Sequence, residues 1–235
     1  MDLVVTGINF KTAPLEERER YSYSRDAARD TLLRLRDAIP NHEWLLLSTC
    51  NRTELYTGVS RGTIDAARVA SVFLANGGAL PAALQSHLYT KRGVQAVEHA
   101  MTVATSLDSL VVGETEILGQ VKQAYNLAVE SGTTGKILNA LLQHVLRVAK
   151  RVRSETVLSA GRVSVGSIAV DLAGKVFDDL SSKAVMIIGA GKIGEQTLKS
   201  LLARGVTESY VVNRSITRGR EIADRYGSIV VPYEK

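Results

Sequence analysis

The fold of the second half of the chain is decided by Ala184-Val185-Met186-Ile187-Ile188-Gly189-Ala190-Gly191-Lys192-Ile193-Gly194. A short, fully apolar run followed by glycines is typical of a parallel strand buried on both faces. The glycines have the spacing G-x-G-x-x-G, which allows a tight turn and lets a pyrophosphate approach the next helix. The stretch therefore predicts the first strand, loop and helix of a Rossmann-type domain. The predicted cofactor contacts are Gly189, Ala190, Gly191, Lys192, Ile193 and Gly194.

The residues after this loop distinguish between the two nicotinamide cofactors. The pattern continues with a helix over Glu195–Ala203 and a strand over Ser209–Val212. An NAD-binding domain places Asp or Glu at the end of that strand, where the carboxylate accepts a hydrogen bond from the ribose 2′-hydroxyl. Here the residues are Asn213, Arg214 and Ser215. Because an arginine can pair with a 2′-phosphate, the sequence predicts NADPH rather than NADH.

The first half of the chain contains its only cysteine, Cys50, between two strand-like runs, Trp44–Leu47 and Leu55–Val59. A lone cysteine is most often a small buried hydrophobe. The polar neighbours of this one are Thr49, Asn51, Arg52 and Thr53. Such neighbours favour an exposed loop, and donors and cations favour the thiolate, which is the nucleophilic form of the residue. Cys50 is therefore a candidate nucleophile.

The segments around this cysteine predict an α+β domain followed by helices. A strand over Leu3–Phe10 and helices over Ser24–Ile39 and Thr63–Leu74 surround the strand–loop–strand unit, as in a small α+β sandwich. Further helices are predicted over Arg92–Thr105 and Leu138–Thr156. The sequence thus predicts an N-terminal α+β domain over residues 1–157 and a Rossmann-type domain over residues 158–235.

Two helical segments carry polar groups that have alternative interpretations. Ser106–Lys122 mixes glycines with polar residues, which fits either the wall of a site or a helix with a glycine-marked bend. The helix at Leu138–Thr156 carries a row of cations, which fits either a solvated face or a face that contacts nucleic-acid phosphates. The cations are Arg147, Lys150, Arg151 and Arg153.

Composition excludes several classes of protein. A single cysteine excludes an internal disulfide framework and predicts a reducing compartment, the cytoplasm. The four histidines and the cysteine have no zinc-like spacing, so no metal is predicted. No apolar run reaches membrane-spanning length, and the N-terminus does not resemble a secretory signal. The net charge of +5 permits a polyanionic partner.

A cysteine nucleophile combined with an NADP site is the arrangement of a thioester reductase. Ser48-Thr49-Cys50-Asn51-Arg52-Thr53-Glu54 resembles the signature of the glutamyl-tRNA reductase family, as do Ser106–Glu114 and Ile117–Lys122. Further similar segments are Gly7–Pro14 with Arg18, Ser164–Ser167, and Gly189–Gly194 with Asn213 and Arg214. The resemblance extends over essentially the whole chain.

The resemblance implies a reaction and a set of site residues. The reaction is NADPH-dependent reduction of glutamyl-tRNA to glutamate-1-semialdehyde through a cysteine thioester, the first step from glutamate to 5-aminolevulinate, haem and chlorophyll. Cys50 would be the nucleophile, and His99 would act in acid–base or orienting work. The implied substrate contacts are Thr49, Asn51, Arg52, Ser109, Glu114, Thr115, Glu116 and Gln120. The family often has Gly-Gln in place of Thr115-Glu116. Arg52 suits a carboxylate because its planar fork can bind one bidentately.

The resemblance also implies partners. These are glutamyl-tRNA, a second subunit and the aminomutase that consumes the aldehyde. The family continues past Lys235, so the Rossmann-type domain is expected to be incomplete here and the dimerisation domain absent. Two alternatives remain open on the sequence: an NADP-dependent dehydrogenase of a small quinate-like substrate, and a non-catalytic fragment that binds tRNA or NADP.

Overall fold

The chain divides into two compact units, within each of which most residue contacts are made. Unit 1 is Met1–Ala160, and unit 2 is Gly161–Lys235. The sequence places the boundary after residue 157. A computed structural model describes residues 2–59, 65–74, 79–159, 165–177 and 179–234. The predicted helix start at Thr63 and the family motif residue Ser164 therefore lie outside the described residues.

The elements of unit 1 alternate between strands and helices in its first part and are helical afterwards. In chain order they are β1 (Asp2–Asn9), α1 (Leu15–Arg20), α2 (Arg25–Ala38), β2 (His42–Ser48), β3 (Arg52–Val59), α3 (Ala66–Leu74), α4 (Ala82–His87), β4 (Tyr89–Arg92), α5 (Val94–Ala104), α6 (Glu116–Glu130), α7 (Lys136–Glu155) and a 3-10 turn at Val157–Ser159. The strands form one antiparallel sheet in the order β2-β3-β1-β4. The predicted α+β class of this half is confirmed.

Helices cover both faces of this sheet, so β3 is buried throughout, β1 is buried almost throughout, and β2 is buried in its middle. The consecutive residues Trp44–Leu47 of β2 are all buried, although neighbouring side chains point to opposite faces. Leu45, Leu47 and Tyr56 line one small cavity together with residues of α5, α6 and α7. Leu46 instead faces a cavity shared with α2 and α6. This burial on two sides matters for the site, because polar residues on β3 must find their partners inside the protein.

Local signals explain where several elements begin. The hydroxyl of Ser24 accepts a hydrogen bond from the amide of Ala27 at 3.3 Å, which caps the N-terminus of α2. The predicted helix at Arg92 is wrong in its start, because Arg92 ends the short strand β4 and α5 begins at Val94. The strand is short and polar, and its pairing with β1 is not visible from local sequence.

Unit 2 has the strand and helix alternation of a Rossmann-type half. Its elements are α8 (Val165–Val176), β5 (Ala184–Ile188), α9 (Lys192–Ala203), β6 (Glu208–Asn213), α10 (Ile216–Tyr226) and β7 (Ile229–Pro232). The strands are parallel and lie in the order β5-β6-β7. The predicted fold class of the second half is confirmed. No helix within the described ranges of either unit has the length and apolarity needed to cross a membrane.

One prediction for unit 2 is wrong: β5 is not buried on both faces. Val185 and Ile187 pack against α8 and α9, but Met186 is 54% exposed and Ile188 is 74% exposed. The reason is that the described helices of unit 2 pack against the face that carries Ile187 and its neighbour Val211. The strand's composition suits two covered faces, whereas only one is covered within the described residues.

Candidate functional site

Cys50 lies in a tight turn between β2 and β3. The turn consists of Thr49, Cys50 and Asn51 and is termed the Cys50 turn. The amide of Thr49 donates to the carbonyl of Arg52 at 2.8 Å. The hydroxyl of Thr49 accepts from the amides of Asn51 at 3.1 Å and Arg52 at 3.2 Å. The amide of Phe10 donates to the carbonyl of Asn51 at 2.9 Å. Cys50 is exposed. The backbone of the turn that carries it is held by these hydrogen bonds.

Arg52 begins β3 and is almost completely buried. Its Nη1 donates to Oε1 of Glu54 at 2.6 Å. Its Nη2 donates to Oδ2 of Asp108 at 3.1 Å and also to the carbonyl oxygen of that residue. Burial disfavours the charged guanidinium and would lower the pKa of Arg52, but the charge of Glu54, its hydrogen bond and the nearby tyrosines together raise this pKa. The planar fork that the sequence assigns to a substrate carboxylate thus has two internal carboxylates as partners.

Glu54 is the centre of a buried hydrogen-bond network. Besides Arg52, its carboxylate accepts from Nε2 of His99 at 3.0 Å, from the hydroxyl of Tyr56 at 2.7 Å and from the hydroxyl of Tyr89. Burial alone would raise the pKa of Glu54, but the hydrogen bond from His99 and the charge of Arg52 lower it to about 2. Because the carboxylate is ionised, Nε2 of His99 must carry the proton that it donates.

Strand register explains how these groups meet. Side chains alternate between faces, so Arg52, Glu54 and Tyr56 project from the same face of β3. Glu54 lies opposite Gly7 on β1, and Gly7 lies opposite Tyr89 on β4. A Cβ on Gly7 would lie closer than 3.0 Å to the backbone of Thr53 and Glu54. The missing side chain lets Tyr89 reach across β1 to the carboxylate of Glu54.

His99 belongs to this network rather than to the Cys50 turn. It is buried on α5 and its ring packs edge-on against Tyr89, with ring centroids 5.6 Å apart. Among the described residues, its one hydrogen bond joins it to Glu54, not to Cys50. Of the two roles considered for His99, this position favours the orienting one.

The segment between α5 and α6 carries the second group of predicted substrate contacts. Glu114 caps α6, because its carboxylate accepts from the amides of Glu116 and Ile117. Ser109 donates to the same carboxylate at 3.3 Å. Gly113 has a φ of +87°, and a Cβ there would clash with the carbonyl of Leu158, so this position requires glycine. Most polar groups of this segment therefore serve to build it.

Two links join this segment to the Cys50 turn and to the sheet. Asp108 binds Arg52 on one side, and its Oδ1 accepts from Nζ of Lys11 on the other. The hydrogen bond from Lys11 and the charge of Arg52 lower the pKa of Asp108 despite its partial burial.

Gln120 and Ser48 line a cavity of about 230 Å³ between α2, β2 and α6. Gln120 and the N-cap residue Thr115 have no hydrogen bond from their side chains to the described residues and keep their capacity for a ligand.

The glycine loop of unit 2 fits a dinucleotide pyrophosphate. Gly189 has a φ of +105° and makes the tight turn after β5. A Cβ on Gly194 would lie closer than 3.0 Å to the carbonyl oxygen of Gly189, so the third glycine allows helix and strand to pack closely. A Cβ on Gly191, at the N-cap of α9, would meet nothing within 4 Å. The open space above Gly191 is where this motif places the pyrophosphate. Ala190, Lys192 and Ile193 complete the loop.

The residues after β6 divide into structural and available groups. Oδ1 of Asn213 accepts from the amide of Ala190 at 3.1 Å, and its Nδ2 donates to the carbonyl of Ser215 at 2.9 Å. The hydroxyl of Ser215 caps α10. Arg214 is exposed, and its guanidinium has no partner within the described ranges. Asn213 thus holds the glycine loop to β6, and Arg214 leaves its guanidinium available to an anion.

The predicted cationic helix is α7, and its cations lie mainly on the face opposite the core. The buried residues of α7 include Leu142, Val145 and Ala149. Arg147, Lys150 and Arg151 are exposed, and Arg153 is half-buried. Arg151 is paired with Glu155 at 3.2 Å. Arg147 and Lys150 are therefore the members most available to an external phosphate.

Sequence reasoning gave no role in the site to several of its residues. Tyr56 and Tyr89 were not proposed as site residues, and Arg18, Lys11 and Asp108 lay in segments that resemble the family without a role of their own. One available signal was the alternation of Arg52, Glu54 and Tyr56 along a predicted strand next to the apolar run Trp44–Leu47. Polar groups that share one face of a buried strand must satisfy one another or a neighbouring element. The contacts of Tyr89, Asp108 and Lys11 depend on tertiary pairing, for which the local sequence gives no signal.

The comparisons with known proteins agree with this arrangement. The family model described as the N-terminal domain of glutamyl-tRNAGlu reductase matches residues 6–156, and the model for shikimate/quinate 5-dehydrogenase matches residues 171–235. The glutamyl-tRNA reductase of Magnetococcus marinus is 45% identical over all of this chain and 56% of its own length. That of Syntrophotalea carbinolica is 42% identical over 99% of this chain and 53% of its own length.

A solved structure extends this similarity to the fold. The glutamyl-tRNA reductase of Methanopyrus kandleri matches with a TM-score of 0.63 and 36% identity, over 99% of this chain and 54% of that one. The chain spans about half the length of the relatives it matches. The second matched model indicates an NAD(P)-type dehydrogenase domain in unit 2. Since the first model covers more than half of the chain, including Cys50 and its network, the chain belongs to the glutamyl-tRNA reductase family.

Proposed function

We propose that the chain carries out the chemistry of glutamyl-tRNA reductase: NADPH-dependent reduction of glutamyl-tRNA to glutamate-1-semialdehyde. The observation that carries this proposal is the exposure of Cys50 on a turn that its neighbours Thr49, Asn51 and Arg52 hold in place by hydrogen bonds. A nucleophile held in one geometry loses less entropy on reaching the transition state. Unit 1 would be the catalytic domain, with tRNA and glutamate recognition, and unit 2 the cofactor domain.

The proposed step at Cys50 is acyl transfer. The Cys50 sulfur attacks the ester carbon that joins glutamate to the terminal ribose of the tRNA. A C–S bond forms, the C–O bond breaks, and the ribose oxygen leaves with a proton. The loop Gly189–Gly194 and Arg214 would hold NADPH, which would supply the hydride that reduces the thioester to the aldehyde and releases the Cys50 sulfur. Arg52, His99 and Glu54 hold the turn and the adjoining segment in place, and Thr115 and Gln120 are the side chains with free capacity for the glutamate.

The cofactor is proposed to be NADPH, held by the loop Gly189–Gly194 and by Arg214. Arg214→Asp should weaken NADPH binding at least about tenfold and leave NADH binding nearly unchanged, because only the former carries the phosphate. Arg220→Asp is a matched control, since it makes the same charge change at an exposed position of α10. Titration of both cofactors against the three proteins measures this. Equal loss for both cofactors in Arg214→Asp would contradict the assignment.

The remaining partners follow from the same proposal. The tRNA would contact Arg147 and Lys150 of α7, with Arg151 and Arg153 as weaker candidates. The aldehyde product would pass to glutamate-1-semialdehyde aminomutase in the cytoplasm. The lone, exposed thiol is consistent with a reducing compartment.

A turnover experiment separates this function from its alternatives. The expected result is NADPH oxidation that requires glutamyl-tRNA and disappears in Cys50→Ser. One alternative is a dehydrogenase of a small quinate-like substrate, which is suggested by the shikimate/quinate 5-dehydrogenase family model that matches unit 2. Such an enzyme would retain its activity in Cys50→Ser. A non-catalytic fragment would bind tRNA and show no turnover in either protein.

A further inference from the structure

Arg18 on α1 contacts the Cys50 turn from outside the two strands that form it. Its Nη1 donates to the carbonyl oxygen of Cys50 at 2.6 Å and to Oδ1 of Asn51 at 3.0 Å. Its Nε is shielded from solvent and has no partner within the described ranges. The cation therefore binds the main chain of the proposed nucleophile itself.

We infer that Arg18 is a positioning residue for Cys50, an inference that rests on the proposed acyl transfer at this thiol. The hydrogen bonds inside the turn involve Thr49, the amides of Asn51 and Arg52, and the carbonyl of Arg52. Arg18 is the donor to the carbonyl of Cys50 among the described residues. Rotation of the peptide that follows Cys50 would move the thiol, and the contact with Arg18 opposes that rotation.

Stability does not account for the placement of Arg18. A shielded N–H without a partner is destabilising, and so is the partial desolvation of a guanidinium. Two charge-assisted hydrogen bonds from Arg18 to the Cys50 turn compensate for this destabilisation. Arg20, on the same helix, has a 66% exposed side chain and pairs only locally with Glu17 at 3.2 Å. The two arginines thus provide a matched comparison of a residue that contacts the turn with one that does not.

The experiment compares Arg18→Met and Arg18→Lys with the control Arg20→Met in the full chain. Single-turnover formation of the glutamyl–Cys50 thioester is followed over a range of glutamyl-tRNA concentrations. Arg18→Met should lower the limiting rate by about ten- to a hundredfold, because small misplacement of a nucleophile has effects of that size. The tRNA concentration for half-maximal rate should stay within about twofold of the wild-type value. Arg18→Lys keeps a cation without the planar fork, so its limiting rate should lie between those of the wild type and Arg18→Met. If Arg18→Met does not fold, Arg18→Lys is compared with Arg20→Met in its place.

A second measurement reports on the turn without any substrate. Hydrogen exchange of the Asn51 and Arg52 amides should be about tenfold faster in Arg18→Met than in Arg20→Met. The inference is overturned if exchange is equal in the two proteins. It is equally overturned if Arg18→Met changes only the half-maximal tRNA concentration, which would make Arg18 a substrate-binding residue. Failure of the proposed function would be seen separately, as absence of a thioester in the wild-type protein.

Discussion

At the scale of single residues, the site depends on a carboxylate that is completely buried. Glu54 is tolerated there because its two oxygens accept from a guanidinium, an imidazole and two tyrosine hydroxyls. A buried charge with this many donors stays ionised. The consequence is that Arg52 and His99 are fixed by the same group, so that the two are expected to respond together to changes at Glu54.

Replacing Glu54 should therefore be costly and pH-dependent. Glu54→Gln leaves Arg52 with one carboxylate instead of two, and we expect a loss of roughly 3–5 kcal/mol in the free energy of unfolding. Glu98→Gln, at an exposed position of α5, is the control and should change it by less than about 0.5 kcal/mol. Urea unfolding of unit 1, followed through Trp44, measures both.

The pH dependence of the same free energy has a definite sign. The pKa of Glu54 falls from 4.5 to about 2 on folding, so its contribution is complete above the unfolded value and is lost as the pH falls from about 4.5 towards 2. The wild-type protein should lose stability over this range by an amount that Glu54→Gln does not show. Parallel curves for the two proteins would mean that Glu54 is not the group that titrates.

Gly7 should be required for the network although it has no functional group. Gly7→Ala places a Cβ of β1 against the backbone of Thr53 and Glu54 in the neighbouring strand β3. We expect this contact to destabilise the protein by roughly 1–3 kcal/mol. Gly119→Ala is the control of opposite sign. Its Cβ meets nothing within 4 Å on helix α6, and alanine there should stabilise by up to about 1 kcal/mol. Thermal unfolding of both variants tests the comparison, and a neutral Gly7→Ala would contradict the packing argument.

At the scale of elements, the N-termini of helices have different roles in the two units. The N-terminus of α6 is occupied by the carboxylate of Glu114, so its amides are satisfied internally. The N-terminus of α9 follows the open glycine loop and has no side-chain cap. An uncapped N-terminus beside a glycine loop suits a phosphate, whereas a capped one does not.

The glycines of that loop should respond differently to alanine. Gly191→Ala fills open space, so it should reduce NADPH affinity at least about tenfold while costing less than about 1 kcal/mol of stability. Gly194→Ala pushes against the carbonyl of Gly189 and should lower both affinity and stability. Cofactor titration and thermal unfolding of each variant separate the two effects. Unchanged NADPH affinity in Gly191→Ala would place the pyrophosphate elsewhere.

At the scale of the whole molecule, much of the fold was predictable because its signals are local. The glycine spacing after an apolar run predicted β5, the loop and α9, and the helical spacing of apolar residues after Ser24 predicted α2. The exposure of one face of β5 was not predictable, because it depends on which helices pack against the sheet of unit 2.

The residues of the candidate site could be proposed from the sequence, but their internal hydrogen-bond partners could not. Thr49, Asn51, Arg52 and Glu114 were expected to contact substrate, yet each has an internal partner that builds the site. Residue type indicates that a group can bind a ligand. Whether that capacity is already used by the protein depends on strand register and tertiary pairing, as the contact of Tyr89 with Glu54 across Gly7 shows.

The measurement that tests this account most directly is the intact mass of the chain after incubation with glutamyl-tRNA in the absence of NADPH. Because Cys50 is the only cysteine, a thioester can form at one position only. The account predicts a glutamyl adduct on the wild-type protein, none on Cys50→Ser, and loss of the adduct when NADPH is added. Binding of glutamyl-tRNA without an adduct on either protein would contradict the assignment of Cys50 as nucleophile.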